Sequence, residues 1–325
     1  MPVSDRQATR REALNIRIKP QMRELIDRAA QLSGKNRTDF VLDAARRAAE
    51  DTLLDRPFLP SAVVGEGCPA RVATRAGVST KLLDKKTITK LVVDAGQRCE
   101  ALLDAKIQNV PVSDVQADEV WGFVGRKEGH KNPFEGDDMY LGDAWCFIGI
   151  ERHSKLVLCF ELGKRTETSA GRFMEKLAAA THPAKRFQLT TDGLPAYPYA
   201  VGKHLGDRVD YAQLIKVDAQ TAEGERRYSP PEVISAESKP VSGDPDMQRI
   251  CTSHIERQNG SLRQWCKRLT RLTYAFSKKW ENLRAALALH FAYYNLCRFH
   301  SSIRATPAMA AGLTASRWTL ADLLA

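Results

Sequence analysis

The chain has 325 residues, of which 43% are hydrophobic and 27% charged, a composition typical of folded globular proteins rather than of disordered or fibrous ones. Its formal net charge of +10 favours a polyanionic partner, nucleic acid first. No segment approaches the roughly 18 uninterrupted apolar residues of a membrane span, and the charged first residues are unlike a signal peptide. The seven cysteines include no CxxC pair, which argues against a zinc ribbon and favours reduced thiols in a cytoplasmic protein. Motifs of the GxxxxGK[ST] and GxSxG forms are absent, so neither ATP binding nor serine hydrolysis is indicated.

The first part of the chain has a pattern of its own. Apolar and polar side chains alternate over residues 14–19, which predicts a short strand with one apolar and one polar face. A helix is predicted between Pro20 and Gly34, because proline favours the first turn of a helix and glycine the position after the last. A second helix is predicted from Thr38, its expected N-cap, towards Leu54.

A unit of one strand and two helices within residues 1–56 is too small to bury a core alone, so we expect it to dimerise. The text REALNIRIKPQMRELIDRAAQLSGKNRTDFVLDAARRAAE resembles the ribbon–helix–helix antitoxins of toxin–antitoxin modules, especially those that neutralise acetyltransferase toxins. The resemblance implies a two-stranded ribbon in the DNA major groove, with Asn15, Arg17 and Lys19 facing the bases, and an acetyltransferase-type toxin as a further partner. The alternative is a dimerisation module whose polar strand face is only solvated.

Residues 57–112 are predicted to form a junction followed by a helical segment. Proline, glycine and serine punctuate the junction up to about residue 85. Apolar residues then recur at helical spacing in TITKLVVDAGQRCEALLDAKI. The preceding RVATRAGVSTK has the rhythm of a partial helix-turn-helix, and a single helix packed on the next domain is the alternative.

Residues 113–325 are predicted to form one α/β domain. Strands are predicted for VQADEVWGFV, DAWCFIGIE and KLVLCFELG, followed by helix RTETSAGRFMEKLAAA, strand RFQLTTDG, short helix PAYPYAVGKHL and strand VDYAQLIKV. A meander of three strands followed by alternating helix and strand is the order of the RNase H-like fold, a mixed sheet flanked by helices. The polar residues 218–250 are predicted to be an insertion loop without a core of its own, and a long helical region is predicted from about Thr252 to Phe299.

Three carboxylates occupy the positions that a two-metal site of this fold needs, and hard divalent cations prefer oxygen ligands. Asp118 lies inside an apolar strand, where an acid without a partner is costly. Asp192 follows the carboxyl end of another apolar strand, where α/β sheets place their ligands, and Glu256 lies on a predicted helix. Each of the three has an alternative interpretation. Asp118 could form a surface pair with Glu119, Asp192 could be a turn residue before Gly193, and Glu256 could be a solvated helix residue.

Basic residues follow Glu256 on the same predicted helix. Arg263 and Lys267 come seven and eleven residues later, which places them within about 20° of Glu256 on a continuous helix. With Arg268 they are candidate contacts to DNA phosphates. A solvated basic face is the alternative.

Several longer motifs occur in order along the second part of the chain: QADEVWGFVGRKE, GDAWCFIGIERHSKLVLCFELGKR, QLTTDGLPAYPYAV and TSHIERQNGSLRQWCKRLTRLTYAFSKKWEN. On these motifs, residues from about 85 to 325 resemble the DDE transposases of the insertion sequence 1 family. The resemblance implies that Asp118, Asp192 and Glu256 form the catalytic, metal-binding triad and hold two Mg²⁺ (or Mn²⁺) ions. It also implies strand transfer, in which water attacks at the element end and the freed 3′ hydroxyl then attacks target DNA.

The chain is therefore expected to be a homodimeric, cytoplasmic transposase that acts on element ends and target DNA. Relatives carry a zinc finger at the N-terminus, whereas this chain carries the antitoxin-like unit there. One alternative is a ribbon–helix–helix transcriptional regulator fused to a relict transposase domain. Another is an RNase H-like nuclease or resolvase that cuts without joining.

Overall fold

The computed structural model describes residues 20–32, 36–41, 84–132, 138–218, 233–270 and 273–325. The chain divides into two units, Met1–Leu82 and Leu83–Ala325. Several predicted features lie outside the described residues: the strand over 14–19 with Asn15, Arg17 and Lys19, the partial helix-turn-helix over 71–81, and the second half of the second N-terminal helix.

In the first unit, helix α1 (Pro20–Leu32) is confirmed with the start predicted from its proline. The next helical segment covers residues 37–41. The predicted N-cap, Thr38, is wrong, because the Asn36 side-chain oxygen accepts a hydrogen bond of 2.8 Å from the Asp39 backbone N–H. An asparagine two residues earlier thus supplies the acceptor that the first turn needs.

The second unit alternates strands and helices. Its strands are β1 (Asp114–Val124), β2 (Gly142–Glu151), β3 (Val157–Gly163), β4 (Phe187–Thr191), β5 (Val209–Asp218) and β6 (Val233–Ser242). Its α-helices are α2 (Lys85–Lys106), α3 (Glu167–Ala180), α4 (Ala196–His204), α5 (Ser253–Trp265), α6 (Trp280–Ala292), α7 (Pro307–Ala310) and α8 (Leu320–Leu324). Helix α6 continues into one π-helical turn, Tyr293–Cys297.

The six strands form one sheet in the order β3-β2-β1-β4-β5-β6. Strands β1, β2 and β3 pair as an antiparallel meander. Strand β4 lies parallel to both β1 and β5, and β6 closes the sheet antiparallel to β5. A meander followed by parallel strands that are joined through helices is the RNase H-like arrangement, so the predicted fold class is confirmed.

Helices cover both faces of this sheet. On one face, the Phe147 ring of β2 lies 5.9 Å from the Phe173 ring of α3, between ring centroids. On the other face, the Phe160 ring of β3 lies 5.0 Å from the Phe291 ring of α6. Since successive strand residues point to opposite faces, neighbouring side chains of β1 enter different helical layers.

Helix α2 confirms the helix predicted from the spacing of TITKLVVDAGQRCEALLDAKI. It buries Gly96, Cys99 and Leu103. Gly96 packs directly on Ala285 of α6: a Cβ atom added to Gly96 would lie 2.4 Å from the Ala285 carbonyl oxygen. Among the helices described, none is both long enough and apolar enough to cross a membrane.

The insertion loop predicted for residues 218–250 is wrong in its second half, where β6 lies. This strand forms the edge of the sheet, and its side chains are largely exposed. Pro240, which pairs opposite Ala212, is compatible with an edge because an edge strand leaves half its N–H groups without a ladder partner. The segment is polar because it is an edge strand, and that polarity resembled a loop.

The single long helical region predicted from Thr252 to Phe299 is also wrong. Helix α5 ends at Trp265, and α6 begins only at Trp280. Between them Leu269 packs over Gly122 of β1, where a Cβ atom on the glycine would lie 2.6 Å from the leucine side chain. Beyond the end of α5, Leu269 thus fills this space above the sheet.

Candidate active site

Two of the three predicted carboxylates converge at the carboxyl end of the parallel strand pair β1–β4. Ala117 of β1 lies opposite Thr191, the last residue of β4, so Asp118 within β1 and Asp192 directly after β4 lie at the same level. One carboxylate oxygen from each of Asp118, Glu119 and Asp192 lies within 4.8 Å of the others. The structure therefore adds Glu119 to the pair that the strand pattern singled out.

Asp118 is held on both oxygens. Its Oδ1 accepts the Glu119 backbone N–H at 2.8 Å, and its Oδ2 accepts Asn259 Nδ2 of α5 at 2.8 Å. Burial raises the pKa of Asp118 to about 7, and the negative charges of Asp192 and Glu256 act in the same direction. A cation placed among these groups would relieve that repulsion.

Glu119 is almost completely buried, with 1% of its side chain exposed. Burial and the charge of Asp192 raise the pKa of Glu119. Arg165 Nη2 lies 3.6 Å from Glu119 Oε2 and 3.7 Å from Asp192 Oδ2, so one guanidinium group serves both acids. The same guanidinium lies 4.8 Å from the centre of the Trp145 ring.

Asp192 begins the turn that follows β4. Its Oδ1 accepts the Leu194 backbone N–H at 3.1 Å, and its backbone carbonyl accepts Gln213 Nε2 of β5 at 3.1 Å. The side chain is 31% exposed, and burial raises its pKa. Asp192 is thus both a turn residue and a member of the acid cluster, because one of its oxygens accepts the turn hydrogen bond and the other faces Arg165.

Glu256 lies in the first turn of α5, one helical turn before Asn259. Its Oε1 accepts Thr252 Oγ1 at 2.5 Å and forms an ion pair with Lys216 of β5. It is therefore outside the close group of three acids, although its charge reaches Asp118. The structure places the third predicted residue beside the site, engaged with a lysine.

The predicted basic stripe is shorter than expected. Because α5 ends at Trp265, Lys267 does not continue the helical face of Glu256, and that part of the prediction is wrong. Arg263 donates to the Leu269 carbonyl oxygen at 3.0 Å, and Arg268 donates to Ser277 Oγ at 2.9 Å. Both guanidinium groups thus hold the chain segment after α5, and their contacts to DNA stay a prediction.

The donor set fits a hard divalent cation. All the groups that converge are carboxylates, which Mg²⁺ and Mn²⁺ prefer. The pKa of Asp118 is raised, as expected for acids grouped without enough positive charge. Sequence reasoning missed Asn259, Arg165 and Lys216 as partners of these acids. Only Asn259 carried a usable signal, since a residue three positions after Glu256 shares its helix face.

Comparison with known proteins bears on the two units differently. Residues 13–61 match the family model described as Antitoxin TacA 1-like. Antitoxin TacA1 of Salmonella typhimurium strain 14028s and Antitoxin TacA 1 of strain LT2 are each 54% identical over 43 residues. The N-terminal segment is antitoxin-like. The match covers 13% of this chain and 45% of each antitoxin, so the chain spans less than half the length of these relatives.

Among solved structures, the chain is similar to three complexes of Mos1 transposase. The paired-end complex with the left transposon end gives a TM-score of 0.17 at 14% identity, covering 61% of this chain and 60% of that one. The Strand Transfer Complex gives 0.19 at 16%, covering 61% and 58%. The pre-cleavage transpososome gives 0.22 at 10%, covering 88% and 80%. These TM-scores are too low to support a fold, so the RNase H-like fold rests on the strand order of this chain.

Proposed function

We propose that residues 83–325 form the catalytic unit of a DDE-type transposase of an insertion element, which cleaves DNA and joins its 3′ end to target DNA. The observation that carries the proposal is the convergence of Asp118, within β1, and Asp192, directly after β4, at the point where the parallel pairing of these strands ends. Helix α5 presents Asn259 and Glu256 beside them. An RNase H-like sheet that bears buried carboxylates at this edge suits phosphodiester chemistry.

In this proposal Asp118 and Asp192 hold two Mg²⁺ (or Mn²⁺) ions, with Glu256 as the third ligand. Bound ions of this kind supply an activated attacking oxygen and stabilise the leaving oxygen. Asn259 fixes the orientation of Asp118, and Arg165 fixes Asp192. Lys216 holds Glu256 next to the site, from which a change of side-chain rotamer directs the carboxylate inward.

The antitoxin-like segment supports a proposal for the N-terminal unit. It dimerises as a ribbon–helix–helix and binds DNA through Asn15, Arg17 and Lys19, and an acetyltransferase-type toxin is its further partner. The same match favours a second candidate function, that of a transcriptional regulator fused to a relict transposase domain. Arg263, Lys267 and Arg268 belong to the first proposal, as contacts to the phosphates of bound DNA.

Mn²⁺ titrations of the full chain, followed by electron paramagnetic resonance, test the metal site. We expect Asp118→Asn and Asp192→Asn to weaken Mn²⁺ binding and to lower strand transfer of oligonucleotides from the element ends by at least about 100-fold. Glu256→Gln and Glu119→Gln tell which acid completes the site. Glu237→Gln, an exposed acid on β6, is the matched control.

If Asp118→Asn and Asp192→Asn bind Mn²⁺ as the unchanged chain does, the metal site is wrong. A larger loss for Glu119→Gln than for Glu256→Gln would replace the third ligand. A chain that binds DNA through Arg17, yet neither cleaves nor joins DNA with either metal, is the regulator instead.

A further inference from the structure

A cleft of about 820 Å³ lies beside the carboxylates, in the size range of about 300–1,000 Å³ that ligand-binding pockets occupy. Its walls are the segment before β2, the corner between β3 and α3, and the start of α6. None of the residues so far placed at the catalytic centre lines it. The corner connects the two places, because Lys164 lines the cleft and the next residue, Arg165, contacts Glu119 and Asp192.

Two aromatic side chains form one wall of the cleft. The rings of Tyr140 and Trp280 meet edge to face, with centroids 6.0 Å apart and an interplanar angle of 74°. Tyr140 is 59% exposed, so part of its ring faces solvent. Lys164 Nζ lies 5.9 Å from the centre of the Trp280 ring. An exposed ring next to a cation is the arrangement on which an unpaired nucleobase stacks.

Positive charge surrounds these rings. The cations that line the cleft are Lys164, Arg172, Lys278, Lys279 and Arg284, and the acids are Asp138, Glu161 and Glu281. Glu161 is neutralised within the protein by Lys176 at 2.8 Å and Arg284 at 3.5 Å. Arg172 and Lys278 form no ion pair with any residue that the structure describes. The side of the cleft that faces solvent therefore offers cations to an anionic ligand.

We propose that this cleft binds an unpaired stretch of DNA next to the catalytic centre. One base stacks on Tyr140 and Trp280, and the flanking phosphates contact Arg172 and Lys278. Duplex DNA is a poorer ligand, because its bases are stacked on one another and present no free face to a tyrosine. The inference rests on the proposed transposase and names the part of its DNA substrate that this surface recognises.

Binding of a labelled oligothymidine to the full chain, without divalent metal, tests the cleft by fluorescence anisotropy. We expect Tyr140→Ala to weaken binding by about 5-fold to about 150-fold, the range of one lost base–aromatic stack. Tyr199→Ala removes another exposed tyrosine, on α4 and outside the cleft, and should leave the affinity unchanged. Lys278→Gln should reduce the salt dependence of binding by about one phosphate contact.

An abasic oligomer of the same length makes the test specific to stacking. If a base stacks on Tyr140, the unchanged chain and Tyr140→Ala bind the abasic oligomer equally well. An equal loss on both oligomers, an equal loss on duplex DNA, or no loss at all overturns the proposal. Because Tyr140 is exposed, Tyr140→Ala should leave the melting temperature unchanged. If the melting temperature of Tyr140→Ala falls, Trp280→Phe becomes the test: this variant retains a stacking ring and must retain binding of oligothymidine.

The outcome is separable from that of the metal-site test. A Tyr140→Ala chain that keeps its oligothymidine affinity, in a protein whose activity depends on Asp118, removes this inference alone. If the activity does not depend on Asp118, the proposed transposase function is wrong, whatever the affinity for oligothymidine.

Discussion

At the scale of single residues, the site is a problem of charge balance. Four acids lie near one another: Asp118, Glu119, Asp192 and Glu256. Arg165 forms ion pairs with Glu119 and Asp192, and Lys216 forms an ion pair with Glu256. Asp118 receives hydrogen bonds but no ion pair from the described residues, and burial together with the neighbouring acids raises its pKa to about 7. Burial and the charge of Asp192 also raise the pKa of Glu119, to about 8, although Arg165 lies beside it. The excess of negative charge therefore extends over both neighbouring acids of β1.

The ion pair between Lys216 and Glu256 yields a prediction about metal affinity. Lys216→Gln removes a cation that competes for Glu256, so Mn²⁺ should bind up to about 5-fold more tightly, since a partly exposed ion pair contributes at most about 1 kcal/mol. Isothermal titration calorimetry measures the change. In a Glu256→Gln background the gain should vanish, whereas an undiminished gain would show that Lys216 acts on the other acids.

Asp118 and Asp192 could be singled out from sequence because each follows or interrupts a run of apolar strand residues, a local signal. Lys216 and Arg165 could not. Their roles depend on which strands become neighbours, and nothing in the residues around them states that β5 lies beside α5 or that the β3–α3 corner reaches β4. A surface pair of Glu119 with Asp118 was one alternative from the sequence, whereas the Glu119 side chain is almost completely buried.

At the scale of elements, the contact between α2 and α6 depends on one missing side chain. Gly96 lets α2 approach Ala285 so closely that even a methyl group meets backbone atoms of α6. Backbone atoms cannot rotate away as a flexible side chain does, so a substitution there must move a helix.

Replacing Gly96 by alanine should therefore lower the free energy of unfolding by about 1–3 kcal/mol, as overpacking typically does. Gly202→Ala is the matched control, because Gly202 is also helical and an added Cβ atom would have nothing within 4 Å. That change should raise the free energy of unfolding by about 0.5–1 kcal/mol through helix propensity. Urea unfolding followed by circular dichroism measures both; a loss in both variants would mean that close packing is not the cause.

Elements with one clear period were predictable, and those shaped by neighbours were not. The strands β1 to β5 and the helix α3 follow from the patterns of their apolar residues. Strand β6 escaped notice because both of its faces are largely exposed, so no alternation of burial marks it. The end of α5 at Trp265 has no proline or glycine signal, and the packing of Leu269 over Gly122 beyond it is a contact between residues distant in sequence.

At the scale of the whole molecule, the stability of the second unit should depend on pH through a buried histidine. Burial, aided by the charge of Arg298, lowers the pKa of His290 from 6.5 to about 4. Between these values the unfolded chain binds a proton that the folded chain does not. The contribution of His290 to the free energy of unfolding therefore rises with pH across this window, and this contribution is lost as pH falls from about 6.5 to about 4.

His290→Gln should remove about 3 kcal/mol of the loss in unfolding free energy between pH 7 and pH 4, at about 1.4 kcal/mol per pH unit. Urea midpoints measured at half-unit intervals of pH test this against the unchanged chain. The exposed His130→Gln is the control and should follow the unchanged chain. Parallel curves for all three proteins would contradict the prediction.

The edge strand β6 has a consequence for association. A free sheet edge offers unpaired backbone groups to any strand that arrives, and chains with open edges tend to add to one another and aggregate. Pro240 removes one donor from this edge, and the charged Glu237 and Lys239 would have to shed water before another strand could pair. The strand that was predicted to be a loop thus discourages strand addition at this edge, and copies of the second unit should meet through surfaces other than the end of the sheet.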